Sequence, residues 1–157
     1  MKIPDVLETL RHLPFVKNFE PDQIEKLAVL AHEGRFERDQ IIFREGDASS
    51  FFYLIVSGKV ALEVTALGRT LRVQTLGDGE ALGWSSLLVS EGKHFQARAL
   101  TAVRALVFDG ARLREACEQD PAFGYRLMRA VFEVLAQRLQ AMRIQLLDLY
   151  SPASARA

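Results

Sequence analysis

The sequence predicts a mainly β protein, a jelly-roll β-barrel with flanking helices and a long C-terminal helix. Short apolar runs separated by glycine, serine and aspartate fill the middle of the chain, which is typical of short strands joined by tight turns. Apolar residues recur at helical spacing before and after this region. We therefore predict one domain over residues 1–150, with a helical lead-in at 4–33, a β-barrel at 35–109 and C-terminal helices at 111–150.

Composition limits the classes of function. The 157 residues are 49% hydrophobic, which is enough for one sizeable core. Twenty basic and twenty acidic side chains cancel, so no overall positive field favours direct binding of nucleic acid. No apolar run is long enough to span a membrane and no signal-peptide pattern is present, so we expect a cytoplasmic protein that does not bind membranes. The single cysteine, Cys117, is expected to be a buried structural thiol.

Two short helices are predicted in the lead-in. The apolar residues at helical spacing are interrupted at Pro14 and resume at Pro21, as expected where proline ends one helix and starts another. Gly34 follows the second apolar series and has the position of a helix-ending glycine. We interpret this segment as a helical cap over the core.

The barrel strands are predicted from apolar runs bounded by turn residues. The five runs are at 41–43, 51–56, 60–64, 71–76 and 102–108. Arg98 lies in a further alternating segment between Ala97 and Ala99, where one interpretation is a structural salt bridge with Asp78 or Glu80.

The last helix is predicted to begin at Asp120-Pro121, because proline is tolerated in a first helical turn. Beyond it, apolar residues follow one another at spacings of three and four and form a stripe, with polar residues around them. This stripe packs either on the barrel of the same chain or on a second copy, and the length of the helix favours the second copy. The predicted homodimer seam consists of Leu135, Leu139, Met142, Leu146 and Leu149.

A glycine-opened turn is the strongest candidate for a binding site. Gly83, Trp84, Ser85 and Ser86 are adjacent, and such a turn directs several backbone N–H groups to one point, where an anion binds. The serine hydroxyls would add donors. The alternatives are that the serines are only helix caps and that Trp84 packs against the C-terminal helix.

Two motifs give the chain a resemblance to a known family. Ile42-Phe43 is followed by Gly46-Asp47 in an I-F-x-x-G-D pattern, and residues 53–60 follow the pattern Y-x-I-x-x-G-x-V. In these patterns the chain resembles a cyclic-nucleotide-binding domain over nearly its whole length. The resemblance implies a cupin-like double-stranded β-helix and, as in catabolite-activator-type transcription regulators, a dimer interface on the long helix. It also implies cyclic AMP or cyclic GMP as the ligand.

The chain departs from this family in the phosphate-binding cassette. When Gly83 is matched to the cassette glycine, Trp84 stands in the position of the ribose-binding glutamate, and Lys93 and His94 fall near the phosphate-binding arginine and its hydroxyl neighbour. A lysine does not form the two parallel bonds of a guanidinium, which weakens binding. An alternative register takes Gly79-Glu80 as the cassette pair. The candidate ligand-binding residues are Gly83, Trp84, Ser85, Ser86, Lys93, His94 and, for the alternative register, Arg98.

Catalysis and metal binding are not expected. Only His94 lies near the serines in sequence, no nucleophile elbow surrounds it, and three histidines are too few for a cupin-like metal site. Two classes of function stay open. In one, a small anionic or nucleotide-like ligand changes how two long helices pair, and Arg129, Gln137 or Arg143 report occupancy across the dimer. In the other, a degenerate barrel filled by Trp84 and Phe95 is a dimerising scaffold for a protein partner.

The end of the chain leaves the effector open. In regulators of this family a helix-turn-helix domain follows the long helix, whereas here residues 151–157 form a short tail that we expect to be disordered. Two interpretations remain, a stand-alone sensor that acts on a downstream protein partner and a piece of a longer chain.

Overall fold

A computed structural model describes residues 3–48, 50–88 and 95–150. The α-helices are α1 (Ile3–Arg11), α2 (Pro21–Val29), α3 (Gly110–Gln119) and α4 (Pro121–Leu149). Two 3₁₀ helices lie at Pro14–Val16 and Trp84–Leu87. The strands are β1 (Ala31–Phe36), β2 (Ile41–Phe43), β3 (Phe51–Ser57), β4 (Val60–Ala66), β5 (Arg69–Leu76), β6 (Ala81–Leu82), β7 (Gln96–Ala99) and β8 (Val103–Asp109).

The strands form two antiparallel sheets that face each other. The order in the first sheet is β1-β8-β3-β6, and the order in the second is β2-β7-β4-β5. The space between them is filled by an apolar cluster that includes Tyr53, Ile55, Leu62, Ala97 and Val107. The predicted jelly-roll fold with flanking helices and a long C-terminal helix is confirmed.

The first sheet is covered on both faces. Successive residues of β3 point to opposite sides, so Tyr53 and Ile55 face the second sheet while Phe52 and Leu54 face the helices. Phe52 lies with its ring centroid 5.5 Å from that of Phe15 and 6.1 Å from that of Phe108. This arrangement explains why β3 and β8 have nearly continuous apolar sequences, because a strand buried on both faces has no position for a solvated side chain.

The predicted boundary of the lead-in is wrong. β1 begins at Ala31, so Gly34 lies within a strand and does not end a helix. Gly34 is opposite Ala105 in the pairing of β1 with β8, and a Cβ atom at Gly34 would lie 2.7 Å from Val107 Cγ2. The glycine is therefore needed for close packing within the sheet.

The start of α4 is fixed at the predicted break. Asp120 Oδ1 accepts a hydrogen bond from the Phe123 amide, and Pro121 occupies the first helical position. Lys26 of α2 donates a hydrogen bond to Asp120 Oδ2, and its ammonium lies 5.7 Å from the centroid of the Phe123 ring. This hydrogen bond lowers the pKa of Asp120. The N-terminus of α4 is thereby held against α2.

The long helix changes surroundings along its length. Phe123, Leu127 and Val131 are buried in the core against the first sheet, so Val131 belongs to the fold of its own chain. From Ala136 onward nearly every side chain is exposed, and Leu139 is 70% and Leu149 73% exposed. The second half of α4 therefore extends beyond the barrel. Residues 151–157 of the predicted tail lie outside the described residues.

Candidate functional site

The glycine-opened turn is a short 3₁₀ helix with a left-handed glycine before it. Gly83 has φ = +81°, a conformation that glycine adopts without strain. The Ser86 amide and the Ser86 hydroxyl both donate to the Gly83 carbonyl oxygen, at 3.0 and 2.7 Å. Ser85 and Ser86 are both buried. The Ser86 hydroxyl thus closes the turn by donating to a carbonyl, and the interpretation of Ser86 as a helix N-cap is wrong.

This turn is fixed against the start of α3. Arg114 Nη1 donates a hydrogen bond to the Ser86 carbonyl oxygen. A Cβ atom at Gly110 would lie 2.5 Å from the same oxygen, so the backbones approach closely. Asp109 Oδ1 accepts hydrogen bonds from the first amides of α3, including that of Ala111 at 2.8 Å. A shift of the turn would therefore displace the start of α3.

α3 in turn packs closely on α4. A Cβ atom at Gly124 would lie 2.9 Å from the Cys117 carbonyl oxygen, which places the two helix backbones in contact. Burial raises the pKa of the Cys117 thiol, as expected for a structural cysteine. Close backbone contacts therefore connect the glycine turn, α3 and the first part of α4.

Trp84 packs into the core of its own chain. It lies against the apolar cluster between the first sheet and the helices, and it lines a small space together with Phe15, Val131 and Val134. This placement agrees with the alternative that Trp84 packs against the C-terminal helix. Its large apolar surface connects the glycine turn with the middle of α4.

Arg98 forms a structural salt bridge, but with a partner other than the predicted ones. Its Nε lies 3.2 Å from Glu63 Oε1, which also accepts a hydrogen bond from Gln96 at 2.9 Å. β7 pairs with β4, and Ala97 and Ala99 point into the space between the sheets. The side chain of Arg98 consequently projects from the other face of its sheet, toward Glu63.

We expect Arg98→Ala to lower the free energy of unfolding by about 1–3 kcal/mol, because the nearly buried carboxylate of Glu63 loses a charged partner. Chemical denaturation measures this loss. Arg35→Ala is the control, since Arg35 also contacts a carboxylate, Glu33, but is 72% exposed, and less than about 1 kcal/mol is expected. Loss of ligand binding by Arg98→Ala at full stability would contradict this structural role.

The β5–β6 turn uses its own acidic side chains to bind backbone amides. Glu80 Oε2 accepts from the Gly77 amide at 2.6 Å, and Asp78 Oδ1 accepts from the Gly58 amide at 2.8 Å. Gly79 has φ = +83°, and a Cβ atom there would lie 2.9 Å from Pro14 Cδ. The Gly79-Glu80 pair thus forms a tight turn packed on the first 3₁₀ helix.

A cavity of about 340 Å³ lies beside this turn. It is lined by residues of the first 3₁₀ helix, the β5–β6 turn and the middle of α4, and its volume is near the lower limit of small-molecule sites. Its charged lining residues are Lys17, Asp78, Glu80, Glu133 and Arg138. Burial lowers the pKa of Arg138 to about 10, which still leaves the guanidinium charged at neutral pH.

Sequence reasoning missed the contribution of α4 to this cavity. Arg138 is four residues after Val134 and seven after Val131, so it continues the face of the helix that packs on the barrel. An arginine at that helical spacing is the signal that identifies it. Lys93 and His94, two of the predicted ligand residues, lie outside the described residues.

The described part of the chain offers little for metal binding. Within residues 3–48, 50–88 and 95–150, no three His, Cys, Asp or Glu side chains are grouped as metal ligands. In the same described segments, no helix has both the length and the apolar character to cross a membrane.

Comparison with known proteins identifies the family. Residues 33–120, more than half of the chain, match the model of the cyclic nucleotide-binding domain. The chain belongs to this family. The match begins in β1 and ends at the start of α4, so it includes both sheets, the glycine turn and α3.

Members of the family with curated functions or solved structures agree with this assignment. The CRP-like cAMP-activated global transcriptional regulator of Mycobacterium tuberculosis is 29% identical over 90% of this chain and 62% of its own length. The N-terminal domain of a transcriptional regulator from Streptomyces coelicolor A3(2) is 28% identical, with a TM-score of 0.69 over 85% of this chain and 94% of that structure. The catabolite activator protein of Thermus thermophilus is 25% identical, with a TM-score of 0.72 over 87% of this chain and 62% of that structure.

The chain spans less than two thirds of the length of curated relatives that it matches, 62% for the Mycobacterium tuberculosis regulator. Its similarity to them therefore concerns the cyclic nucleotide-binding domain.

Proposed function

We propose that this cyclic nucleotide-binding domain is a non-catalytic, ligand-sensing regulatory module. A small anionic or nucleotide-like molecule binds between the barrel and the long helix and changes how two such helices pair. The observation that carries this proposal is the cavity of about 340 Å³ between the β5–β6 turn and α4. A ligand there touches both the barrel and the helix, so its affinity depends on the position of the helix.

The contacts around the glycine turn supply a route for the signal. Ser86 is packed on Gly110 at the start of α3, and Cys117 of α3 is packed on Gly124 of α4. Close-packed backbones do not compress, so a shift in the turn moves the helices as rigid bodies. The same contacts would transmit a change in helix pairing back to the cavity, because coupling between two sites is reciprocal.

We propose a homodimer through the second half of α4. Large apolar side chains there are exposed on the single chain, including Leu139 at 70%, Leu146 at 53% and Leu149 at 73%. A second copy of the same helix is the partner that fits a repeating stripe, since a two-fold interface is self-complementary. The proposed seam is Leu135, Leu139, Met142, Leu146 and Leu149, as predicted from the sequence.

Cyclic AMP and cyclic GMP are the first ligands to test, because the family is defined by binding cyclic nucleotides. A specific observation favours a second function. In the register that matches Gly83 to the cassette glycine, Trp84 stands in the position of the ribose-binding glutamate. Trp84 packs into the core, and the Ser86 hydroxyl donates a hydrogen bond within the turn. A barrel with these features in place of a working cassette would be a dimerising scaffold that binds a protein partner in the cytoplasm.

A thermal-shift titration decides between the two functions. We expect saturable stabilisation by at least one ligand among cyclic AMP, cyclic GMP, non-cyclic nucleotides and small anions, with calorimetry to give its dissociation constant. A ligand at 100 times its dissociation constant adds about 2.7 kcal/mol to the free energy of unfolding. An unchanged melting temperature across the whole panel would contradict ligand sensing and favour the scaffold.

A further inference from the structure

The side chain of Arg138 is partly buried between the charged ligand cavity and a smaller apolar space. It lines both the ligand cavity and the small space beside it, where its neighbours are Phe15, Trp84, Val131 and Val134. Its Nη2 atom is buried and has no hydrogen-bond partner among the described residues. A buried N–H group without an acceptor costs free energy, so the unmade hydrogen bond of Nη2 requires an explanation.

The nearest acidic side chains already have other partners. Glu80 exerts an electrostatic attraction on Arg138, but its Oε2 accepts from the Gly77 amide. Asp78 accepts from the Gly58 amide, and Glu133 Oε1 lies 3.9 Å from Arg129 Nε. An ionised carboxylate accepts about four hydrogen bonds, so each of these cavity-lining carboxylates has acceptor capacity left for a ligand.

We propose that Arg138 of the long helix is the anion-binding residue of this cavity. It would replace the phosphate-binding arginine of the family, which is missing from the cassette of this chain. The ligand is a small organic anion with a phosphate or carboxylate group for Arg138 and hydroxyl or amino donors for Asp78, Glu80 and Glu133. This inference rests on the proposed sensing function and locates its charge recognition on α4. Because the cation belongs to the helix, the anion would bind directly to the element that changes position.

Arg138 also explains how a ligand would favour one helix position. In the unliganded chain its guanidinium lacks a hydrogen bond at Nη2. An anion accepts the two parallel bonds of the guanidinium and removes that cost, and it does so only when α4 holds the arginine at the cavity. Lys17, at the rim of the same cavity, supplies a second positive charge that is exposed.

The test compares each nucleotide with its uncharged nucleoside by calorimetry. The probes are cyclic AMP with adenosine and cyclic GMP with guanosine, and the variants are Arg138→Gln and Arg138→Lys. We expect the native chain to bind a cyclic nucleotide more tightly than its nucleoside, and Arg138→Gln to lose on the order of 10- to 100-fold of affinity for the anion. The affinity of Arg138→Gln for the nucleoside should be nearly unchanged. The affinity of Arg138→Lys for the anion should lie between those of the native chain and Arg138→Gln.

Arg112→Gln is the matched control, because Arg112 is also a helical arginine but is exposed on α3 and does not line the cavity. It should retain the native preference for the nucleotide. The melting temperature without ligand separates binding from folding, since removing an unpaired buried charge should leave it equal or higher, whereas a structural role would lower it.

The outcomes distinguish this inference from the proposed function. If Arg138→Gln retains the native preference for the nucleotide, Arg138 does not bind the anion, and ligand sensing by the chain stands. If the native chain binds none of the four probes, both proposals are overturned for nucleotides. Retained binding by Arg138→Gln together with a lower melting temperature would make Arg138 a structural residue.

Discussion

Phe108→Ala is expected to lower the free energy of unfolding by about 3–5 kcal/mol, the cost of emptying a large, fully buried site. Phe108 is fully buried in β8, and its ring lies 6.1 Å from that of Phe52 on the face of the first sheet that the helices cover. Domains of this size have a total stability of about 5–15 kcal/mol, so the variant would be partly unfolded under mild conditions.

Denaturation with urea, followed by fluorescence and circular dichroism, measures this effect. Phe51→Ala is the matched control, because Phe51 is also a strand phenylalanine but is 39% exposed, and a loss of about 1 kcal/mol is expected. Equal losses for the two variants would contradict the assignment of the covered face of the first sheet.

Leu139→Arg is expected to convert the proposed dimer to a monomer. Leu139 is 70% exposed on the single chain and lies at the centre of the proposed seam. Two-fold symmetry places two arginines at the interface, where like charges would be both desolvated and close together. We expect the dimer dissociation constant to rise by on the order of 100-fold or more, corresponding to about 3 kcal/mol.

Sedimentation velocity over a range of concentrations gives the mass of each variant. Gln140→Arg introduces the same charge at the next residue, away from the apolar stripe, and should leave the association unchanged. An unchanged mass for Leu139→Arg would exclude this seam. Dissociation of both variants would indicate a general effect of positive charge on the helix.

Most of the strands were predictable because buried strands have apolar sequences that are bounded by turn residues. The apolar runs at β3 and β8 are long because both faces of the first sheet are covered, and glycines mark the turns between strands. The predicted barrel began at residue 35 and so missed the first four residues of β1. The reason is that Ala31–Phe36 mixes small, charged and aromatic residues, with partly exposed positions along the strand. Its pairing with β8 is a long-range property that local pattern does not contain.

The site was harder to predict than the fold. Its cavity joins residues near 14, 80 and 138, which only the tertiary structure brings together. A salt bridge was one of two interpretations of Arg98 from the sequence, and its partner, Glu63, depends on the register of β7 against β4. The charge of Arg138 is typical of the exposed surface of a helix, whereas its spacing from Val131 and Val134 places it on the inward face of α4.

The anchoring of α4 at its first residues makes the helix a lever. Lys26 holds Asp120 at one end, and the helix continues for 29 residues without a break. At 1.5 Å per residue, Arg138 lies about 26 Å from Pro121 and Leu149 about 42 Å from it. A rotation about the anchored end would therefore displace Leu149 about 1.6 times as far as Arg138. A small displacement of Arg138 would thus produce a larger displacement at the far end of the helix. In a dimer, that displacement would change the distance between the two helices.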